Sequence, residues 1–168
     1  MNQILNKLSG GDLRSEGRAQ EVALEIIDNP SLLAALTEGL HSDDKVIRAR
    51  TCMTMEVVSR EHPGLLTGTI PRLIELASID PVSQVKWHIA EIFGNVPISA
   101  DDTERIIPIL YDYLGDKSKI VKYCAVQALG VLGKSSRRQE IAGRISVLAD
   151  ESKSLAKAVR KAVENLEA

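Results

Sequence analysis

Aromatic side chains are scarce in this 168-residue chain: one Trp, one Phe and three Tyr, or 3% of the whole. An interior without large rings must be filled by Leu, Ile, Val and Ala, which suits helices that approach one another closely. Cysteine is nearly missing too. Cys52 and Cys124 have no third partner, so neither a disulfide framework nor a thiolate zinc set can be drawn. That points to a reducing, cytoplasmic setting. No apolar run approaches the roughly 18 residues of a membrane span. The first residues, MNQILNKLSGG, lack the basic flank, apolar run and small-residue cleavage site of a leader. A soluble protein with no membrane partner is expected. Excess charge of one sign is also lacking, with 21 Lys and Arg against 23 Asp and Glu. A duplex-binding protein draws on a positive surplus to displace counterions, so nucleic acid is the weaker expectation.

What the chain does have is a repeat. IRARTCMTMEVV from Ile47, VKWHIAEIFGNV from Val85, VKYCAVQALGVL from Val121 and LAKAVRKAVENL from Leu155 align, with starts 38, 36 and 34 residues apart. A period of this size marks stacked supersecondary units. Apolar or small residues fall mainly at places one, five, eight, nine and twelve, one face of an α-helix. A second set precedes each: LAALTEGL from Leu33, IPRLIELA from Ile70, IPILYDYL from Ile107 and IAGRISVL from Ile141. The chain therefore reads as outer and inner helices joined by short turns.

Local signals place the boundaries. Asn29 before Pro30 and Asp80 before Pro81 read as helix starts. Asp101 with Glu104, and Ser136 with Gln139, have capping-box spacing. Gly115 and Gly133 stand where helices should stop in a left-handed conformation. Pro71 and Pro108 share one phase of two outer helices and predict a bend in each. Residues 1–28 carry a Gly10-Gly11 break and an amphipathic segment from Asp12 to Asp28. They read as an N-terminal cap, and terminal repeats are expected to look atypical.

The I-P-x-L of Ile70, Pro71 and Leu73 recurs as Ile107, Pro108 and Leu110. The series Asp116, Val121, Lys122, Ala128, Leu129 and Gly130 follows in the inner helix. On these residues the chain resembles the HEAT-repeat family of armadillo-like α-solenoids, its short prokaryotic members in particular. The resemblance spans roughly 30–168, strongest in the middle pairs and weakest in the last, where Arg160 stands at a normally small place. It implies an all-α fold, a right-handed α-α superhelix of about five helical hairpins, the first a degenerate cap. One domain is expected, divided as 1–28, 29–62, 63–98, 99–134 and 135–168. It also implies a non-enzymatic scaffold that binds a protein partner along the inner helices, as a monomer or weak homodimer.

Places three and seven of the inner helices lie one turn apart, off the apolar stripe, and should line the concave face. Place three reads Ala49, Trp87, Tyr123 and Lys157; place seven reads Met53, Glu91, Gln127 and Lys161. Trp87 and Tyr123 are expected to form an aromatic platform, since exposed aromatics with polar handles anchor interfaces. Met53, Arg50, His88, Glu91 and Gln127 would surround it. The competing account has both rings filling the gap between helices. No catalytic residue, cofactor or metal is expected. A thiol beside an imidazole, Cys124 with His88, lacks an oxyanion-stabilising loop. His88 with Glu91 has a carboxylate-histidine spacing but no visible third ligand.

Three further patterns yield bland readings. Asp43, Asp80, Asp116 and Asp150 precede Arg48, Lys86, Lys122 and Lys157; the acids should cap inner helices while the cations pair with a neighbouring turn. ALGVLGKS, residues 128–135, mimics a phosphate loop but begins at a helix end, where backbone carbonyls would repel phosphate; there Gly133 stops the helix and Lys134 answers its dipole. The last 35 residues hold eight Lys or Arg against five acids, more often a solvated cap than a docking site. A second functional reading takes Trp87 and Glu91 as the aromatic and acidic groups of a HEAT-like alkylpurine DNA glycosylase. The acid is Glu rather than Asp, and no matching Arg can be assigned.

Overall fold

The structure is a computed structural model describing residues 2–133 and 137–168. Lys134, Ser135 and Ser136 lie outside the described residues, and with them the Ser136 cap and the end of the 128–135 motif. The helices are α1 (Gln3–Leu8), α2 (Ala19–Asp28), α3 (Leu33–Thr37), α4 (Lys45–Glu61), α5 (Ile70–Ile79), α6 (Ser83–Asn95), α7 (Ala100–Leu114), α8 (Lys119–Leu132), α9 (Arg138–Ser146) and α10 (Lys153–Glu167). No strand occurs among the described residues.

The apolar stripe decides the packing. Its first places, Ile47, Val85, Val121 and Leu155, are all buried, and so are Met55, Phe93 and Leu129 at place nine. Burying each such side chain is worth about 1.5–3 kcal/mol, more than the helix gains from its own backbone preferences. The stripe of one inner helix meets that of the next, so α2 lies on α4, α4 on α6, α6 on α8 and α8 on α10. Neighbours in sequence are neighbours in space, as a HEAT-like α-solenoid requires. At the α8–α10 crossing a Cβ on Gly130 would stand 2.7 Å from the Ala162 Cα, so only glycine permits this approach.

Along the turns runs a ladder of ion pairs. Arg48 donates from Nε to Asp80 Oδ2 at 2.6 Å, Lys86 to Asp116 at 2.7 Å, and Lys122 to Glu151 at 2.7 Å. Each cation leaves one inner helix for the turn before the next. The acids also hold their own turns: Asp44, Asp80 and Asp116 accept the N–H of Val46, Val82 and Ser118, each at 2.8 Å. Burial opposes ionisation of Asp116, yet the Lys86 ammonium and the Ser118 N–H outweigh it and hold the carboxyl below its usual range. The expected pairing of cation with neighbouring turn is present three times, with Glu151 in place of Asp150. Of the acids only Asp44, in place of Asp43, caps an inner helix, since α6, α8 and α10 are preceded at the cap by Val82, Ser118 and Ser152.

Several local expectations shift. Asp80 closes α5 and forms a turn, and α6 begins only at Ser83. The box opening α7 is Ser99 with Asp102, since Ser99 Oγ accepts the Asp102 N–H at 3.1 Å, leaving Asp101 and Glu104 without that role. Gly115 and Gly133 do end helices, but at φ −92° and −79°, not left-handed. Pro71 falls in the first turn of α5, where no donor is lost, because Pro63, Gly64 and Gly68 delay the helix start. Only Pro108, with two turns of α7 before it, interrupts a helix.

Arg50 organises the N-terminal end. Its side chain lies under the loop between α1 and α2 and donates to the carbonyls of Leu8, Ser9, Gly10, Asp12 and Ser15. Gly17 permits this, with φ +56° and no Cβ, which would stand only 2.8 Å from the guanidinium carbon. The C-terminal carbonyls of α1, which have no helical partner, are thereby satisfied from another repeat.

Candidate functional site

Two hollows lie along the row of inner helices. The central one, about 280 Å³, is lined only by α4, α6, α8 and α10. Its floor is made of small residues, Ala90, Gly94, Ala128 and Ala162, and its walls carry Glu56, Glu91, Cys124, Gln127 and Lys161. The second, about 460 Å³, lies toward the N-terminal end, where Leu13 to Glu16 of the Arg50-held loop face Val46, Met53, Gln84 and Trp87.

The predicted surround is therefore split. Trp87, Met53, Arg50 and His88 line the N-terminal hollow, whereas Glu91 and Gln127 line the central one. Tyr123 lines neither; its hydroxyl accepts from Gln127 Nε2 at 3.3 Å. Among the described residues the ring contact of Trp87 is with His88, centroids 5.5 Å apart and planes tilted 58°. Among the described residues Trp87 and Tyr123 form no ring pair. Arg50 is 5% exposed with its donors turned to the carbonyls named above, so it braces the hollow from beneath. Place three is not uniformly open either: Ala49 is buried, whereas Lys157 is exposed.

The central hollow contains polar groups that periodicity did not suggest. Glu56 of α4 has a side chain only 3% exposed and is held through both oxygens by Arg60, one turn on. Its Oε2 stands 4.0 Å from His88 Nδ1, and Glu91 Oε2 stands 3.7 Å from the same nitrogen. That nitrogen is buried and has no hydrogen-bond partner. The signal for Glu56 was available: it occupies place ten, where the next two inner helices carry Gly94 and Gly130. Burial pushes the Cys124 thiol up, and the carboxylates of Glu91 and Glu56 push it further. Such a thiol is the opposite of an activated nucleophile. The Trp87 and Glu91 pairing of the glycosylase reading likewise finds its two members on different hollows.

The fold is a stack of helical pairs with two hollows along its row of inner helices. Residues 106–136, spanning most of α7 and all of α8, match the HEAT repeat model. The resemblance to the HEAT-repeat family read from the sequence holds there, and HEAT repeats generally mediate protein–protein interaction. No curated protein matches the chain. No helix among the described residues is long and apolar enough to cross a membrane.

Proposed function

We propose that the chain is a non-enzymatic binding module that holds a segment of a partner protein on its inner face, with Trp87 as anchor. The observation that carries this reading is the N-terminal hollow, where half-buried Trp87 and Met53 offer apolar surface beside the polar groups of Arg14, Ser15 and Gln84. An aromatic ring in a partly desolvated recess is the usual form of an interface hot spot, and a thioether beside it adapts to varied side chains. Tyr123, Glu91 and Gln127 extend the surface toward the C-terminal end.

Trp87 is the only tryptophan, so its emission reports on this hollow alone. Affinity capture from native cells should enrich a partner with the wild type and lose it with Trp87→Ala, whose melting should stay close to wild type. The recovered partner, added back pure, should shift Trp87 fluorescence. Equal capture by the variant, or binding with no change in emission, would remove Trp87 from the site.

A further inference from the structure

From the juxtaposition of Glu56, His88 and Glu91 we infer a binding site for a single divalent first-row transition ion, set between the two hollows. Three donors of the right chemistry, one imidazole nitrogen and two carboxylate oxygens, lie within 4.8 Å of one another across α4 and α6. Ligand bonds of about 2.0–2.2 Å in a tetrahedral shell put neighbouring donors about 3.4 Å apart. His88 Nδ1 stands 3.7 and 4.0 Å from the two oxygens and all three atoms lie within 4.8 Å, so rotamer shifts of roughly an ångström, shared among the three side chains, would close the set.

The nitrogen itself is the second observation. Buried polar atoms are almost always partnered, and His88 Nδ1, lying between two carboxylates, is not. A metal ion would satisfy it and would also offset two acids held close together. Arg60 engages both oxygens of Glu56 but leaves further lone pairs, so it can orient that ligand as an outer partner. Both carboxylates line the central hollow together with Cys124 and Gln127, while His88 lines the N-terminal one. The i, i+3 pair of α6 is legible in sequence; the third ligand is not, because it comes from the preceding repeat, 32 residues away from His88.

The site does not depend on Trp87 or on any partner, so its failure and that of the binding reading are distinguishable. Metal-free full-length protein is titrated with Zn2+ by calorimetry and then with Co2+, read by absorption. One equivalent is expected, with ligand-field bands of a low-coordinate Co2+ centre and a higher melting temperature at saturating Zn2+. Affinity should fall at least about tenfold in both His88→Ala and Glu91→Gln. The melting of each variant alone reports whether it folds. Absence of binding by the folded wild type, or unchanged affinity in the folded variants, would overturn the site. So would a spectrum dominated by thiolate-to-cobalt charge transfer that survives in His88→Ala, because it would put the ion on a cysteine.

Discussion

The turn edge and the inner face of this molecule are built from the same helices, yet they treat charge in opposite ways. Along the edge three rungs close: Arg48 finds Asp80, Lys86 finds Asp116 and Lys122 finds Glu151, at nearly the same distance and a similar step. On the inner face the pattern changes from one repeat to the next. Place three runs Ala, Trp, Tyr, Lys; place ten runs Glu, Gly, Gly, Glu; and one buried imidazole nitrogen is left without a partner. Groups that recur and satisfy one another hold neighbouring units in register. Groups that break the recurrence and stay unsatisfied are available to something else.

The comparison breaks most visibly at its first rung. Asp80 is 2% exposed and Arg48 18%, so Asp80→Asn would leave a largely desolvated guanidinium facing a neutral amide. Breaking a buried pair from one side costs about 3–5 kcal/mol, and the carbonyls of Ser42 and Asp43 that Arg48 also reaches should keep the loss near about 3 kcal/mol. The amide oxygen can still accept the Val82 N–H, so the turn survives and the measurement isolates the charge. Urea unfolding should show a lower midpoint at unchanged slope. A loss below about 1 kcal/mol would mean that the edge does not hold the stack.

Arg50 sharpens the comparison from the other side, because it lies on the inner row yet behaves like an edge residue. Arg50→Ala would strand several carbonyls of the α1–α2 loop, one of them buried, for about 2 kcal/mol in all. The effect should be local: hydrogen exchange over residues 3–18 should quicken more than over α8. Uniform acceleration along the chain would show that the N-terminal pair is no separate cap.

The stripe at places one, five, eight, nine and twelve was readable because burial follows helical geometry, and with it came the four hairpins, the row of inner helices and the cation-to-next-turn pairing. Asp43 was chosen where Asp44 acts because adjacent acids in a turn look alike until the backbone N–H they accept is known. Pro71 and Pro108 share a phase but not a helix start, which depends on the glycines around residues 64–68 as much as on proline. The residues expected to share one surface divide between two hollows, with Tyr123 on neither. Trp87 and Tyr123 stand at equivalent places, but which neighbours each ring meets is set by packing between repeats. Glu56 and His88 meet for the same reason and were missed as a pair.

The second and third rungs make the mildest test, and they separate burial from mere proximity. Asp116, the more enclosed acid, has a carboxyl held below its ordinary value of 3.8 in the folded chain, so its contribution is complete above that value and fades as pH falls through the lower, folded one. The stability gap between wild type and Asp116→Asn should therefore be constant from neutrality down to about pH 5 and shrink below pH 4. Glu151 is 37% exposed, and an ion pair so open to solvent is worth about 0–1 kcal/mol and is screened by salt. Glu151→Gln should cost less than about 1 kcal/mol, less still at high ionic strength, and should leave partner capture intact. If it cost as much as Asp80→Asn, spacing along the edge rather than removal from water would govern each rung, and the ladder would have to be treated as one cooperative network.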